Sequence, residues 1–237
     1  MVSAIASRAR VVSWVAWEAA LATPAWVCVA VAAGWVFVLG HSLAHGAHVH
    51  HIVMSSGAEL FGWIGMVFAM MVPALPGNLR DIAQRSYRSR RQRAIALYLA
   101  GYVAVWTLAG MPVLVVRAQA WSHDLTIAAS VFAIASLWAF VPVRARFVAA
   151  CHRRIPLAPQ GWRADRSVLA QGVVTAIPCV VTCGPMMLGC ALTGHRLLPM
   201  LVGSLVTWTE MYQFREDRRP ALAGAGMLAA WSLVSQV

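Results

Sequence analysis

Four sulfur-bearing side chains recur along one apolar stretch, residues 168–192, which is long enough to cross a bilayer as a helix. At about 100° per residue they fall within about 60° of one another on that helix. They are Cys179, Cys183, Met186 and Cys190, called here the sulfur stripe. Thiolate and thioether ligands select copper(I) over harder ions. The stripe therefore predicts a soft-metal site, although cysteine and methionine also pack as compact hydrophobes, and both interpretations stay open.

A second apolar run carries methionines that can face the stripe. Met66 and Met70 lie one helical turn apart and so share a face. At about 1.5 Å per residue from the outer ends, their depths are comparable with those of Cys183 and Cys179. They can complete a mixed cysteine–methionine site, whereas taken alone they are typical core filler.

A histidine-rich loop, residues 41–51, precedes this run and holds five imidazoles in eleven residues. These are His41, His45, His48, His50 and His51. Neutral imidazoles bind divalent ions, so the composition predicts metal capture, with a solvated connector as the alternative. Zinc, copper(II) and nickel all suit nitrogen ligands. His195, near the outer end of the sulfur stripe, is assigned to the same side.

The composition indicates the elements that position these groups. Sixty per cent of the residues are apolar, 11% are charged and the mean hydropathy is +0.69, which excludes an ordinary soluble domain. We predict an all-α polytopic membrane protein, with residues 1–23 as an N-terminal interfacial segment and 24–237 as one helical bundle. The net charge of +11 comes from arginines in short loops, which indicates lipid headgroups rather than nucleic acid as partner.

About seven transmembrane helices are expected. They are residues 24–40, 58–75, 94–116, 125–143, 168–192, 197–212 and 220–236. Charged loops at 80–93, 144–166 and 214–219 alternate with short ones, so the positive-inside rule puts them and the N-terminus in the cytoplasm of a bacterial-type inner membrane. No histidine falls at mid-membrane, which argues against haem. No nucleotide-binding loop or hydrolase motif occurs, so no enzyme is predicted.

Two further groups carry chemistry. Glu210, near the inner end of the sixth run, is an ion partner or proton carrier by default, and pairing with Arg215 or the headgroups is the preferred interpretation. Cys151 and His152 lie in an inner basic loop. One thiol and one imidazole are too few for a metal site without further ligands.

Three segments resemble the bacterial family called domain of unknown function 2182, described as predicted metal-binding integral membrane proteins. The matching residues are Trp63 to Met66 with Ala69 to Pro73, Tyr98 to Tyr102 with Trp106, and Val141 to Arg144 with Cys151, Trp162, Arg163, Cys179, Cys183, Met187 and Glu210. The resemblance implies a membrane fold and metal association. Phe147, Thr175 and Thr182 stand where the family tends to carry further ligands, and Cys190 is an addition.

Our first hypothesis is a copper-handling membrane protein that passes the ion from the outer histidines to the sulfur stripe. Zinc and nickel are the alternative ions, and a membrane protein or a metallochaperone is the expected protein partner. Ala96, Ala100 and Ala104, at four-residue spacing, favour close helix contacts and hence a second hypothesis, a scaffold or assembly subunit. A proton-coupled transporter that uses Glu210 is the third.

Overall fold

The computed structural model describes residues 23–46, 56–119, 125–194 and 196–213, together with Gly224 and Gly226. These ranges are helical and contain no strand, which confirms the all-α class. The helices are α1 Ala25–Gly46, α2 Ser56–Met66, α3 Pro76–Arg85, α4 Arg91–Gln119, α5 Leu125–Phe140, α6 Pro142–Cys151, α7 Gly161–Leu192 and α8 Leu197–Gln213.

Fewer helices than expected are long and apolar enough to cross a membrane. Two pass by length and composition, Arg88–Leu114 and Gly161–Leu192. Two bent pairs raise the number to four: Glu59–Ala74 with Pro76–Arg85, and Thr126–Phe140 with Pro142–Cys151. Ala25–Gly40 and Leu197–Trp208 are apolar but shorter. The described ranges therefore give two to four candidate spans rather than seven, and most of the expected last span lies outside them.

Proline explains why the predicted helix at 125–143 breaks. Val141 has an extended backbone, with φ −70° and ψ 120°, because the residue before a proline is disfavoured in the α region. Pro142 then occupies the first turn of α6, where its missing N–H costs nothing. The chain turns by 88° between α5 and α6. This turn brings α6 against α7.

The end of the second apolar run is irregular. Val67–Met71 forms a π-helical turn and Val72–Ala74 a 3₁₀ turn before α3 begins. Pro73 has no N–H to continue the α-helical ladder, and π turns are frequent at functional sites. The indole of Trp208 on α8 donates a hydrogen bond to the Met70 carbonyl at 2.8 Å. The turn thus holds Met70, which is fully buried, at a defined position against α8.

Helices α4 and α7 form the closest pairing. A Cβ added to Gly172 on α7 would lie 2.2 Å from the carbonyl oxygen of Tyr98, and one on Gly101 would lie 2.4 Å from that of Leu169. Small residues allow membrane helices to approach until their backbones touch. This contact places Tyr98 beside Gly172 of α7 and Tyr102 beside Cys179 of α7.

We expect Gly172→Ala to lower the free energy of unfolding by about 1–3 kcal/mol or more, because the added methyl group must displace backbone. The matched control is Gly184→Ala on the same helix, where the added Cβ meets nothing within 4 Å. Thermal unfolding of both variants in detergent measures the difference. Equal stability of the two variants would contradict the close α4–α7 approach.

Ion pairs gather at one end of the bundle. Asp81 of α3 pairs with Arg85 at 2.6 Å and with Arg154 at 3.0 Å. Asp165 of α7 pairs with Arg90 at 2.5 Å and with Arg93 at 2.6 Å. These contacts join the predicted charged loops 80–93 and 144–166. The two segments therefore lie together at one end of the bundle, whereas the side of a membrane on which they lie stays a prediction.

Candidate metal site

One buried thiol of α7 contacts Tyr102, and two further buried thiols lie nearby. The hydroxyl of Tyr102 lies 3.1 Å from the sulfur of Cys179. The side chain of Cys179 interacts with those of Cys151 and Cys183. Cys151, Cys179 and Cys183, called here the three-thiol group, are 2%, 1% and 5% exposed and form no disulfide. Cys179 and Cys183 belong to the sulfur stripe on α7, and Cys151 is the last residue of α6.

Thr182 lies between two of these thiols. Its hydroxyl oxygen is 3.6 Å from the sulfur of Cys183 and 4.0 Å from that of Cys151. The same hydroxyl is 3.0 Å from the carbonyl of Pro178, one turn back along α7. Such bonds to the preceding turn are usual for threonine inside a helix and often bend it. The Thr182 hydroxyl thus lies between the thiol of Cys151 on α6 and that of Cys183 on α7.

A second set of sulfur side chains meets against α8. A Cβ added to Gly203 would lie 2.9 Å from Met70 Cε, 3.3 Å from Cys190 Sγ and 3.5 Å from Met186 Cγ. Met70, Met186 and Cys190 are called here the Gly203 sulfur group. The absence of a side chain at Gly203 leaves the space that these three residues share. The structure therefore places Met70 beside Met186 and Cys190, and not at the level of Cys179 and Cys183 that counting residues along the two helices predicts.

The sulfur stripe is consequently divided between two sets of neighbours. Cys179 and Cys183 belong to the three-thiol group, whereas Met186 and Cys190 belong to the Gly203 sulfur group. Met66 is fully buried in the same core. Within the described residues, no three histidine, cysteine or acidic side chains stand together at metal-binding separations. The three thiols are therefore neighbours in the core that do not form a three-ligand metal site in this structure.

The predicted histidine loop is partly helical. His41 and His45 lie in the last turns of α1, one turn apart, because α1 extends to Gly46 and not only to the expected end at residue 40. Positions four residues apart on a helix lie on the same face. His48, His50, His51 and His195 lie outside the described residues, so their predicted roles stay predictions.

A buried ion pair lies close to the three-thiol group. Arg144 of α6 donates to Glu210 Oε2 of α8 at 2.6 Å, and the two side chains are 11% and 12% exposed. The other carboxylate oxygen, Oε1, is buried and has no hydrogen-bond partner among the described residues. Cys183 is close enough to interact electrostatically with Glu210. Arg144 is the partner that the described residues show, and the expected partner Arg215 lies outside them, so that pairing stays a prediction.

Sequence reasoning missed the place of Cys151. Gln171 of α7 holds the chain that follows α6, because its amide donates to the Arg153 carbonyl at 2.8 Å and accepts from Ile155 N at 2.7 Å. This buried amide returns the segment to α7 and leaves Cys151 facing Cys179. The spacing in the sequence carries no such signal. The one available indication was that the resemblance grouped Cys151 with Cys179 and Cys183.

His152 follows Cys151 directly. Burial lowers the pKa of its imidazole below the usual value, and the positive charge of Arg154 lowers it further. A lowered pKa favours the neutral imidazole, which is the form that binds metals. A nitrogen donor in its neutral form therefore stands next to the three-thiol group in the chain.

One protein family matches these observations. The family model PpoB2, described as copper chaperone, matches residues 60–235, well over half of the 237 residues. The chain belongs to the PpoB2 copper chaperone family. The expectation of a metal-related family is therefore confirmed, whereas the name domain of unknown function 2182 is not. No curated protein and no solved structure matches the chain.

The family model covers some of the predicted metal ligands and not others. Both sulfur groups, Tyr102 and the Arg144–Glu210 pair lie inside residues 60–235, whereas the histidine segment 41–51 precedes them. Both sulfur groups thus lie in the part of the chain that matches the PpoB2 model, and the histidine segment lies outside it.

Proposed function

We propose that the protein binds copper(I) as its cargo and passes the ion between sulfur ligands along α7. One observation carries the proposal: sulfur side chains from separate elements converge on this helix, Met70 and Cys151 among them. Soft sulfur ligands select copper(I), and the family is described as copper chaperone. No covalent chemistry on a substrate is required, so the role proposed is not enzymatic.

The proposed path begins at the histidines. His41, His45, His48, His50, His51 and His195 collect the ion on the outer side of a bacterial cytoplasmic membrane. The Gly203 sulfur group receives it next, with Met66 as a further predicted ligand, and Cys183 and Cys179 follow. The clustering of the ion pairs at one end supports this orientation, since the positive-inside rule makes the arginine-rich end cytoplasmic.

Charge balance favours metal binding at this depth. Each cysteine binds copper as a thiolate and releases its proton, and the positive ion then compensates the thiolate charge. An uncompensated thiolate would be costly inside a membrane. The Gly203 sulfur group contains two neutral thioethers and one thiol, so it holds copper(I) with at most one deprotonation. A partner membrane protein or metallochaperone would supply or accept the ion.

We expect the detergent-purified, reduced protein to retain copper(I) at a fixed ratio after dialysis and to retain zinc or nickel more weakly. The reason is that thioethers are poor ligands for these harder ions. Inductively coupled plasma mass spectrometry of the dialysed protein measures all three metals. Loss of all copper on dialysis under reducing conditions would contradict the proposal.

A scaffold role is the second candidate. Ala96, Ala100 and Ala104 line an open apolar groove with Trp26 and Phe68, so α4 presents small residues there. Small residues favour close packing of another helix. This candidate predicts stable co-purification with a membrane partner and no metal after dialysis, which is the opposite result in the same experiment.

A further inference from the structure

We infer that Cys151 is a copper(I) ligand that shares the ion with Cys179, so that the three-thiol group contains two overlapping two-sulfur sites. One site is Cys179 with Cys183, and the other is Cys179 with Cys151. The inference rests on the proposed function and adds to it a ligand from outside α7. It also provides a ligand, Cys151, to which the ion can pass from the sulfur stripe.

The first support is the position of the Cys151 side chain. It is 2% exposed, and its sulfur lies 4.0 Å from the hydroxyl of Thr182 on α7, the residue next to Cys183. Its backbone is fixed as well, since Asn78 of α3 donates to the Cys151 carbonyl at 3.4 Å. Three elements thus determine where this thiol points.

The second support is the pairwise connection of the thiols. Copper(I) is a closed-shell ion that two thiolates can bind in a linear arrangement, so three mutually close ligands are not required. Cys179 and Cys183 are buried one turn apart on α7, and Cys151 reaches this stretch from α6 beside Thr182, so we assign Cys179 as the ligand that the two sites have in common.

The transfer between these sites balances without any redox change. The bond from copper to the Cys151 sulfur forms as the bond to the Cys183 sulfur breaks, while Cys179 stays bound. The Cys151 thiol loses one proton and the Cys183 thiolate gains one. Thr182, whose hydroxyl lies 4.0 Å from one sulfur and 3.6 Å from the other, provides the path for that proton. Copper stays copper(I), and the charge of the group is unchanged.

The test compares Cys151→Ser with Cys28→Ser in the full-length, reduced protein. Cys28 is an exposed thiol of α1 and serves as the matched control. Competition with a chromogenic copper(I) chelator measures the affinity. We expect Cys151→Ser to weaken binding by at least about 10-fold, because losing a group that only orients a ligand already costs about 10- to 100-fold, and Cys28→Ser to leave it unchanged.

The outcomes separate this inference from the proposed function. Wild-type affinity in Cys151→Ser, with copper lost in Cys179→Ser/Cys183→Ser, would overturn the inference and leave the function standing. Copper binding by neither the wild type nor any variant would overturn both. Equal weakening in Cys28→Ser would overturn the assignment of the effect to Cys151.

A measurement on the unsubstituted chain decides the matter if Cys151→Ser does not fold. Alkylation of each cysteine by N-ethylmaleimide is followed by peptide mass spectrometry, with and without one equivalent of copper(I). We expect copper to slow the labelling of Cys151 and Cys179 and to leave Cys28 unaffected. Labelling of Cys151 at the same rate in both samples would overturn the inference.

Discussion

Replacing Cys179 and Cys183 together with serine is expected to remove most of the copper that the protein retains. Every path through the three-thiol group uses Cys179, and Cys183 joins it to the rest of the sulfur stripe. Serine supplies a hard, protonated oxygen in place of a soft thiolate, so the affinity for copper(I) should fall by about 100-fold or more. Metal analysis after dialysis under reducing conditions measures the loss.

The matched control replaces a thiol outside both sulfur groups. Cys28→Ser changes an exposed cysteine by the same single atom and should retain the full copper content. Helix content and elution volume in detergent show whether the double variant keeps its fold. An undiminished copper ratio in a folded double variant would remove these two residues from the mechanism. It would leave the Gly203 sulfur group as the remaining candidate.

Replacing Arg144 with alanine is expected to destabilise the bundle strongly. Glu210 would then keep a buried charge with no ion partner, and Oε1 already has no hydrogen-bond partner among the described residues. Removing one member of a buried pair typically costs about 3–5 kcal/mol, because the other charge stays uncompensated. Chemical unfolding in detergent, followed by tryptophan fluorescence, measures the loss.

Arg93→Ala provides the comparison for this result. The Arg93 side chain is 68% exposed, and its partner Asp165 keeps Arg90. An exposed pair of this kind contributes about 0–1 kcal/mol, so the variant should resemble the wild type. A double variant, Arg144→Met/Glu210→Met, should recover most of the stability lost in Arg144→Ala, since apolar residues can replace a buried pair. Equal effects of the two arginine substitutions would contradict the buried character of the Arg144–Glu210 pair.

The helical character of the chain and the stripe on α7 followed from local information. A long apolar run predicts a helix, and a spacing of three or four residues puts side chains on one face. The observed α7 runs from Gly161 to Leu192 and buries all four sulfur side chains of the stripe. Pro178 and Pro185 do not end it. Periodicity could therefore identify which residues of this helix share a buried face.

The partners of the stripe depend on features that periodicity does not contain. Cys151 reaches Cys179 only because the chain turns at Pro142 and Gln171 then holds the segment after α6. Met70 reaches Cys190 through a π-helical turn and a glycine on α8. Each depends on contacts between distant parts of the chain. Proline positions mark where a helix can break, but they do not give the angle or the neighbour that results.

The number of membrane spans was also hard to predict, because the sequence does not show where an apolar run bends. Apolar runs of similar composition became a continuous helix at Gly161–Leu192 and a right-angled pair at Thr126–Cys151. Hydropathy averages over a window and does not distinguish the two. The prediction of seven spans therefore treated bent and short helices as complete crossings.

Helix α8 packs against the Gly203 sulfur group and carries Glu210 towards the three-thiol group, and this has a thermodynamic consequence. Gly203 adjoins Met70, Met186 and Cys190, whereas Glu210, two turns further along, holds α6 and acts electrostatically on Cys183. Seven residues of α-helix span about 10 Å and transmit displacement as a rigid rod. In the proposed function, an ion that displaces α8 at one group would alter the free energy of occupying the other. By linkage the effect is reciprocal, so the two groups would fill cooperatively or anticooperatively, as a single coupled system.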